Sequence, residues 1–187
     1  IYREAGDETY RINGVGEQIG SAENYLEHLR AVAEAGWRDQ QHTLSAADHT
    51  HHFEVMIQVG TEFDIRGLRW SLAHIPLATE EQILGLKAVG AGATMQDWLY
   101  LSSNPGPPFR MVYDSGIPVG AGTDSTNVAP LSPWLGLFYM TTGRNLAGVE
   151  TNAGKTVSRL QALEMYTTGS AWFSEEENEL GSFEVGK

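Results

Sequence analysis

The sequence predicts an α/β fold with a parallel sheet, read as part of a (β/α)₈ TIM barrel. Three observations predict it. Amphipathic helices alternate with short apolar runs, the grammar of successive βαβ units. The spacing from His42 to His74 is about that of one such unit. The apolar runs stop at polar residues, and in a barrel of this kind the C-terminal strand ends carry the chemistry.

The first helix is expected over about 21–35, with Ser21 as N-cap and Tyr25, Leu29, Val32 and Ala33 on one face. Gly36 suits its C-terminal cap, and Trp37 to Gln41 then runs into His42. A second helix follows over roughly Ala46 to Thr61, then a turn at Asp64 to Gly67. Leu68 to Ala73 forms the next strand and ends at His74. Thr79 with Gln82 makes a capping box that opens a third helix. Ile83, Leu86 and Val89 form its apolar side, and Gly90 ends it. Ala93 to Met95 is a further strand, stopping near Gln96. The loop Pro105-Gly106-Pro107-Pro108 leads into a fourth helix ending at Gly116, and Ile117 to Gly122 runs to Thr123-Asp124-Ser125. A fifth helix is expected over Pro133 to Thr142, and a sixth from Ser158 with Gln161 as capping partner.

Composition narrows the function classes. The 187 residues suffice for one domain but fall short of a whole barrel of about 250 residues. Ile1 and Lys187 both read as cut ends, so residues 1–187 are expected to be the C-terminal part of a barrel domain. Half a barrel would leave two open strand edges, which predicts an inactive fragment prone to associate, with a homo-oligomer as one outcome. At 41% apolar residues the chain is not a disordered one. A net charge of -12 argues against nucleic acid and anionic membrane surfaces as partners. No apolar run approaches the roughly 20 residues of a membrane span. The ends leave the compartment open, with the cytoplasm favoured. With no cysteine in the chain, any metal must be held by His, Asp or Glu. There is no GxGxxG or GxxxxGK[ST] loop, and Gly120-Ala121-Gly122 reads as small residues that allow close packing.

His42, His74 and Asp124 are each expected at the end of a strand run, just before a loop. Two imidazoles and a carboxylate on one rim suit Zn²⁺ or a similar divalent ion. Such an ion brings the pKa of a water to about 7, and a nearby Asp could move the proton to a leaving nitrogen. The plainer alternatives are a hydrogen-bonded His at each strand end and an N-cap role for Asp124. The run Asp48-His49-Thr50-His51-His52 also has metal-like spacing, but residues two apart on a helix do not face each other. A solvated helix start is favoured there, with His51 or His52 able to enter the pocket. Trp98, Tyr100 and Phe109 either line a substrate pocket or pack their own loop, and Trp98 is the candidate for substrate contact.

These residues resemble the amidohydrolase superfamily, in particular its YtcJ-like branch, over nearly the whole chain. Ala35-Gly36-Trp37 through His42 resembles that family's fifth strand, and Leu68-Arg69 through His74 its sixth. Gly116-Ile117-Pro118-Val119 through Gly122-Thr123-Asp124-Ser125 resembles the eighth and is the most specific segment. Gln161-Ala162-Leu163, Tyr166-Thr167, Ala171-Trp172-Phe173 and Gly181-Ser182-Phe183 follow the family's closing helix and turn. The chain would thus hold roughly strands 4/5 to 8, without the N-terminal half and the small β-domain. The resemblance implies a hydrolase of non-peptide C–N bonds acting on a small molecule, with one or two divalent ions, zinc above all. It implies His42 and His74 as metal ligands, and Asp124 as both ligand and general acid/base. Three departures stand out. The stretch near Arg11 to Glu17 lacks the family's fourth-strand Lys, and Glu17 could substitute. Ser45-Ala46-Ala47-Asp48 stands where relatives carry Gly-Asp, and Ala73 where they carry Glu. These departures leave room for a divergent, non-catalytic barrel that binds a small ligand.

Overall fold

The computed structural model describes residues 5–7, 9–17 and 23–187. A short antiparallel pair, β1 (Ala5–Gly6) and β2 (Arg11–Ile12), precedes the main sheet. That sheet has five parallel strands, β3 (Gly14–Glu17), β4 (Arg38–Thr43), β5 (Ser71–His74), β6 (Gly92–Gln96) and β7 (Val119–Gly122). They are hydrogen-bonded neighbours in chain order, with no reversal. The connecting helices are α1 (Tyr25–Glu34), α2 (Ala46–Glu62), α3 (Glu80–Val89) and α4 (Phe109–Ser115). With right-handed crossovers and an unreversed strand order, all of them fall on one face of the sheet. The opposite face is left as the interior of a barrel, which is the arc the sequence predicts.

The two faces differ in chemistry. Trp70, Leu72, Ala93 and Met95 are buried in one cluster with Phe53, Met56 and Val59 of α2 and Ile83, Leu86 and Val89 of α3. Each large side chain so buried contributes about 1.5–3 kcal/mol. The interior face instead carries Gly14, Gly16, Arg38, Gln40, Ser71 and Gln96, which line a cleft of about 500 Å³.

Local signals set the helix ends. Ser45–Asp48, Thr79–Gln82 and Ser158–Gln161 are all reciprocal capping boxes. The Ser45–Asp48 box accounts for the unusual Ser-Ala-Ala-Asp run after β4: it starts α2. Gly90 and Gly116 close α3 and α4 with φ of 77° and 75°, a conformation that costs glycine little. The first helix starts at Tyr25 with Asn24 at its cap, and the expected cap Ser21 lies outside the described residues. The strand expected from Leu68 begins only at Ser71. Arg69 turns aside with φ 54°, its guanidinium paired twice with Glu177 at 2.8 Å and stacked over Trp172.

After β7 the chain forms α5 (Pro133–Thr142), α6 (Arg159–Glu164), a π turn (Met165–Gly169) and α7 (Ser170–Ser174). Three successive glutamates then meet three arginines at the N-terminal side of the strands. Arg38 pairs with Glu175 at 2.9 Å, Arg11 with Glu176 at 2.6 Å and Arg69 with Glu177. An ion pair open to solvent is worth up to about 1 kcal/mol, and these three are partly shielded from it. Together they fix the closing segment to the end of the sheet opposite the histidines. Phe173 sits beside Gly92 and Gly120, where a Cβ on either glycine would meet its ring, so the small residues of β7 do serve close packing.

Candidate metal centre

Strand alternation sorts β4 into two sets. Arg38 and Gln40 line the cleft, and the alternation points His42 the same way, while Asp39, Gln41 and Thr43 are buried toward the helices. Register then places His42 between its neighbours, with Glu17 opposite Gln41 on one side and His74 opposite Thr43 on the other. Glu17 ends β3 with its side chain 61% exposed, and the His74 side chain is 5% exposed. The His74 backbone is left-handed, at φ 68°.

Three donor atoms converge. His42 Nδ1 lies 2.7 Å from Glu17 Oε1 and 2.9 Å from His74 Nε2, and His74 Nε2 lies 3.7 Å from Glu17 Oε1. One ligand atom from each residue fits within 4.8 Å of the others, and no other such group occurs among the described residues. Tetrahedral ligands about 2.0–2.1 Å from zinc stand about 3.3 Å apart, which is the scale of this cluster. The protonation states agree. The hydrogen bond from His42 holds the Glu17 carboxyl below its usual range. Burial, and then the neighbouring His42, lower His74 and favour its neutral ring. Ionised carboxylate and neutral imidazole are the forms a cation binds. Two imidazole nitrogens and a carboxylate oxygen this close have more lone pairs than protons can bridge, so the donor set fits a divalent cation.

Asp124 follows β7 and approaches the other nitrogen of the same ring, with Oδ2 3.9 Å from His74 Nδ1. That nitrogen is buried and has no hydrogen-bond partner. The structure thus brings His42, His74 and Asp124 onto one rim, with Asp124 outside the three-donor cluster. Glu17 completes that cluster.

The remaining candidates lie elsewhere. His51 is on α2, half-buried, with its ring 5.7 Å from Tyr25, and it does not line the cleft. The solvated helix start expected there is corrected at His49, which is buried and stacked on Phe53. It packs because the first turn of α2 lies against the loop after β5, where Leu77 N–H points at His49 Nε2 at 3.4 Å. Burial brings the His49 ring down to about 4. Trp98 packs against the core in a short 3₁₀ turn, and Tyr100 and Phe109 are fully buried. The loop after β6 is therefore packed on its own aromatic side chains.

Two features of the site have no sequence signal. Gln96 accepts the His74 N–H through Oε1 at 2.9 Å. Asp97, the next residue, is fully buried behind the rim. Burial raises it to about 7, against the hydrogen bond donated by the Tyr166 hydroxyl. Residues 69 positions apart in sequence make that contact.

A five-stranded parallel arc with His, His and carboxylate at its C-terminal strand ends is the arrangement of part of a (β/α)₈ barrel with a candidate metal site. The sequence profile described as the amidohydrolase family matches residues 5–187, and the chain belongs to that family. No curated protein matches it. Among solved structures it is similar to a metal-dependent hydrolase of Pyrococcus furiosus, with 21% identity, a TM-score of 0.67, and 91% of this chain and 36% of that one covered. A mutant of the atrazine chlorohydrolase TrzN of Arthrobacter aurescens, complexed with zinc and atraton, is similar at 22% identity and TM-score 0.64, covering 90% of this chain and 38% of that one. An adenosine deaminase of Xanthomonas campestris with bound zinc gives 16% identity and TM-score 0.61, covering 89% and 39%. These likenesses establish the fold. The chain spans little more than a third of the length of each. Among the described residues no helix is long and apolar enough to cross a membrane.

Proposed function

We propose that the protein is a zinc-dependent hydrolase of non-peptide C–N bonds in a small-molecule substrate. The observation that carries this reading is the convergence of Glu17, His42 and His74 beside Asp124. Glu17, His42 and His74 would hold the ion. A divalent ion there would supply Lewis acidity, bringing a water's pKa to about 7 and polarising the scissile carbon's oxygen. Asp124 accepts the water proton and returns it to the leaving nitrogen. Its half-exposed carboxylate, beside an unpartnered His74 Nδ1, has room to move a proton without losing a structural bond. The neighbours containing zinc support the choice of ion. Ala73, where the family resemblance leads to an expected Glu, favours one rival: a barrel that binds a small ligand without turning it over.

The test uses the protein in its full length, loaded with Zn²⁺, against N-acyl amines, ureas and N-aryl amides. Turnover is expected in the wild type. Asp124→Asn should lower kcat by about 10²- to 10⁴-fold with metal content unchanged. Ligand binding without turnover at full metal occupancy would support the non-catalytic rival, and an Asp124→Asn variant of undiminished activity would remove the proton-carrier role.

A further inference from the structure

The parallel ladder between β5 and β6 stops at Ala73 opposite Thr94, whereas β4 and β5 stay paired one residue further, to Thr43 opposite His74. The strands β5 and β6 therefore part just where His74 needs a partner for its N–H. Residue 74 is buried and left-handed, and Ile75 after it is left-handed too at φ 41°. The Gln96 side chain fills the gap, taking the His74 N–H at 2.9 Å.

That one bond fixes the orientation of the amide. A backbone N–H can only donate, so the oxygen of Gln96 must face it, and its NH₂ must face away. Flipping the amide would set donor against donor and leave a buried N–H unpaired. Among the described residues nothing accepts from Gln96 Nε2. Gln96 is half-buried and lines the same cleft as Glu17, His74 and Asp124. A donor whose orientation is enforced from behind thus stands in the wall of the candidate site, beside two carboxylates that can only accept.

Resting on the hydrolase reading above, we propose that Gln96 is a substrate-recognition residue. Its Nε2 donates to a carbonyl oxygen, which makes the neutral amide, urea or carbamate carbonyl the substrate class of this site and disfavours amidines. An amidinium presents N–H donors where the carbonyl presents an acceptor, and the locked amide cannot turn its oxygen to meet them. The same donor strengthens as charge builds on the carbonyl oxygen, so it acts on kcat as well as on binding.

The test titrates the Co²⁺-substituted full-length protein with acetanilide and with N-phenylacetamidine, following the visible bands of the ion, and measures turnover of the same pair with Zn²⁺. The wild type should bind and cleave the amide in preference. Gln96→Glu keeps an oxygen for the His74 N–H but removes the donor. It should lower amide turnover about 100- to 1,000-fold and weaken amide binding by tenfold or more, at unchanged metal stoichiometry. Gln96→Met also removes the acceptor, so it should lose metal affinity as well. A wild type that prefers the amidine overturns the proposal without need of any variant. So does a Gln96→Glu protein whose amide binding and turnover stay within twofold of wild type. A wild type that holds no metal and cleaves neither compound removes the hydrolase reading and takes this inference with it.

Discussion

Asp97→Asn should stabilise the protein above neutral pH. Asp97 is fully buried, and burial raises its carboxyl from the usual 3.8 to about 7. The folded state therefore holds its proton more tightly than the unfolded chain does, so stability falls as pH rises from about 4 to about 7. The span of about 3 pH units, at about 1.4 kcal/mol each, gives about 4 kcal/mol in total, somewhat more than half of it between pH 5 and pH 8. Asn is nearly isosteric and can still accept the Tyr166 hydroxyl, but it cannot ionise. Urea unfolding of the full-length protein at pH 5 and pH 8 measures the difference. The variant should exceed wild type by about 1–2 kcal/mol at pH 5 and by a further 2–3 kcal/mol or so at pH 8. Equal pH slopes for the two proteins would refute the reasoning, because they would mean that Asp97 releases its proton in the fold as freely as in water.

Three other substitutions probe the same framework. A Cβ at residue 136 would land on the Asp97 carboxylate, so Gly136→Ala should cost about 1–3 kcal/mol in urea unfolding. Ser45→Ala removes one half of the capping box that starts α2 and should cost about 1 kcal/mol by the same measurement. Glu17→Gln takes away the charged carboxylate beside His42, and chelator competition should show Zn²⁺ affinity falling by more than about 100-fold, beyond the loss usual for a residue that only hydrogen-bonds a ligand.

What could be read from the sequence was local. The capping boxes at Thr79 and Ser158, the glycines after α3 and α4, and the limits of α5 depend on residues a few positions apart, and they stand where the pattern put them. The strand-end position of His74 was legible for the same reason, since it closes the alternating run Leu68 to Ala73, whereas the polar run Arg38 to Gln41 before His42 carries no apolar period and that placement came from the family resemblance. Contacts across the sheet were not. Glu17 could be placed at the end of a strand, but only the register of β3 on β4 brings its carboxylate to His42. The acidic run 175–177 is met by arginines from three separate segments, contacts that no local pattern announces. His49 carries a polar label yet packs like an aromatic, because the neighbouring loop covers the first turn of α2. The Asp97–Tyr166 contact depends on a π turn, a feature with no period of its own to announce it.

The proposed chemistry depends on one assembly of side chains. If Glu17, His42 and His74 share an ion, then Asp124 has a proton to carry and Gln96 a polarised oxygen to meet. Elemental analysis by mass spectrometry of the purified full-length protein, wild type beside His74→Ala, addresses this directly. At least one equivalent of zinc in the wild type, and its loss in the variant while the fold is kept, is the expected result. Identical metal content in both proteins, or none in either after growth with added Zn²⁺, would contradict the account.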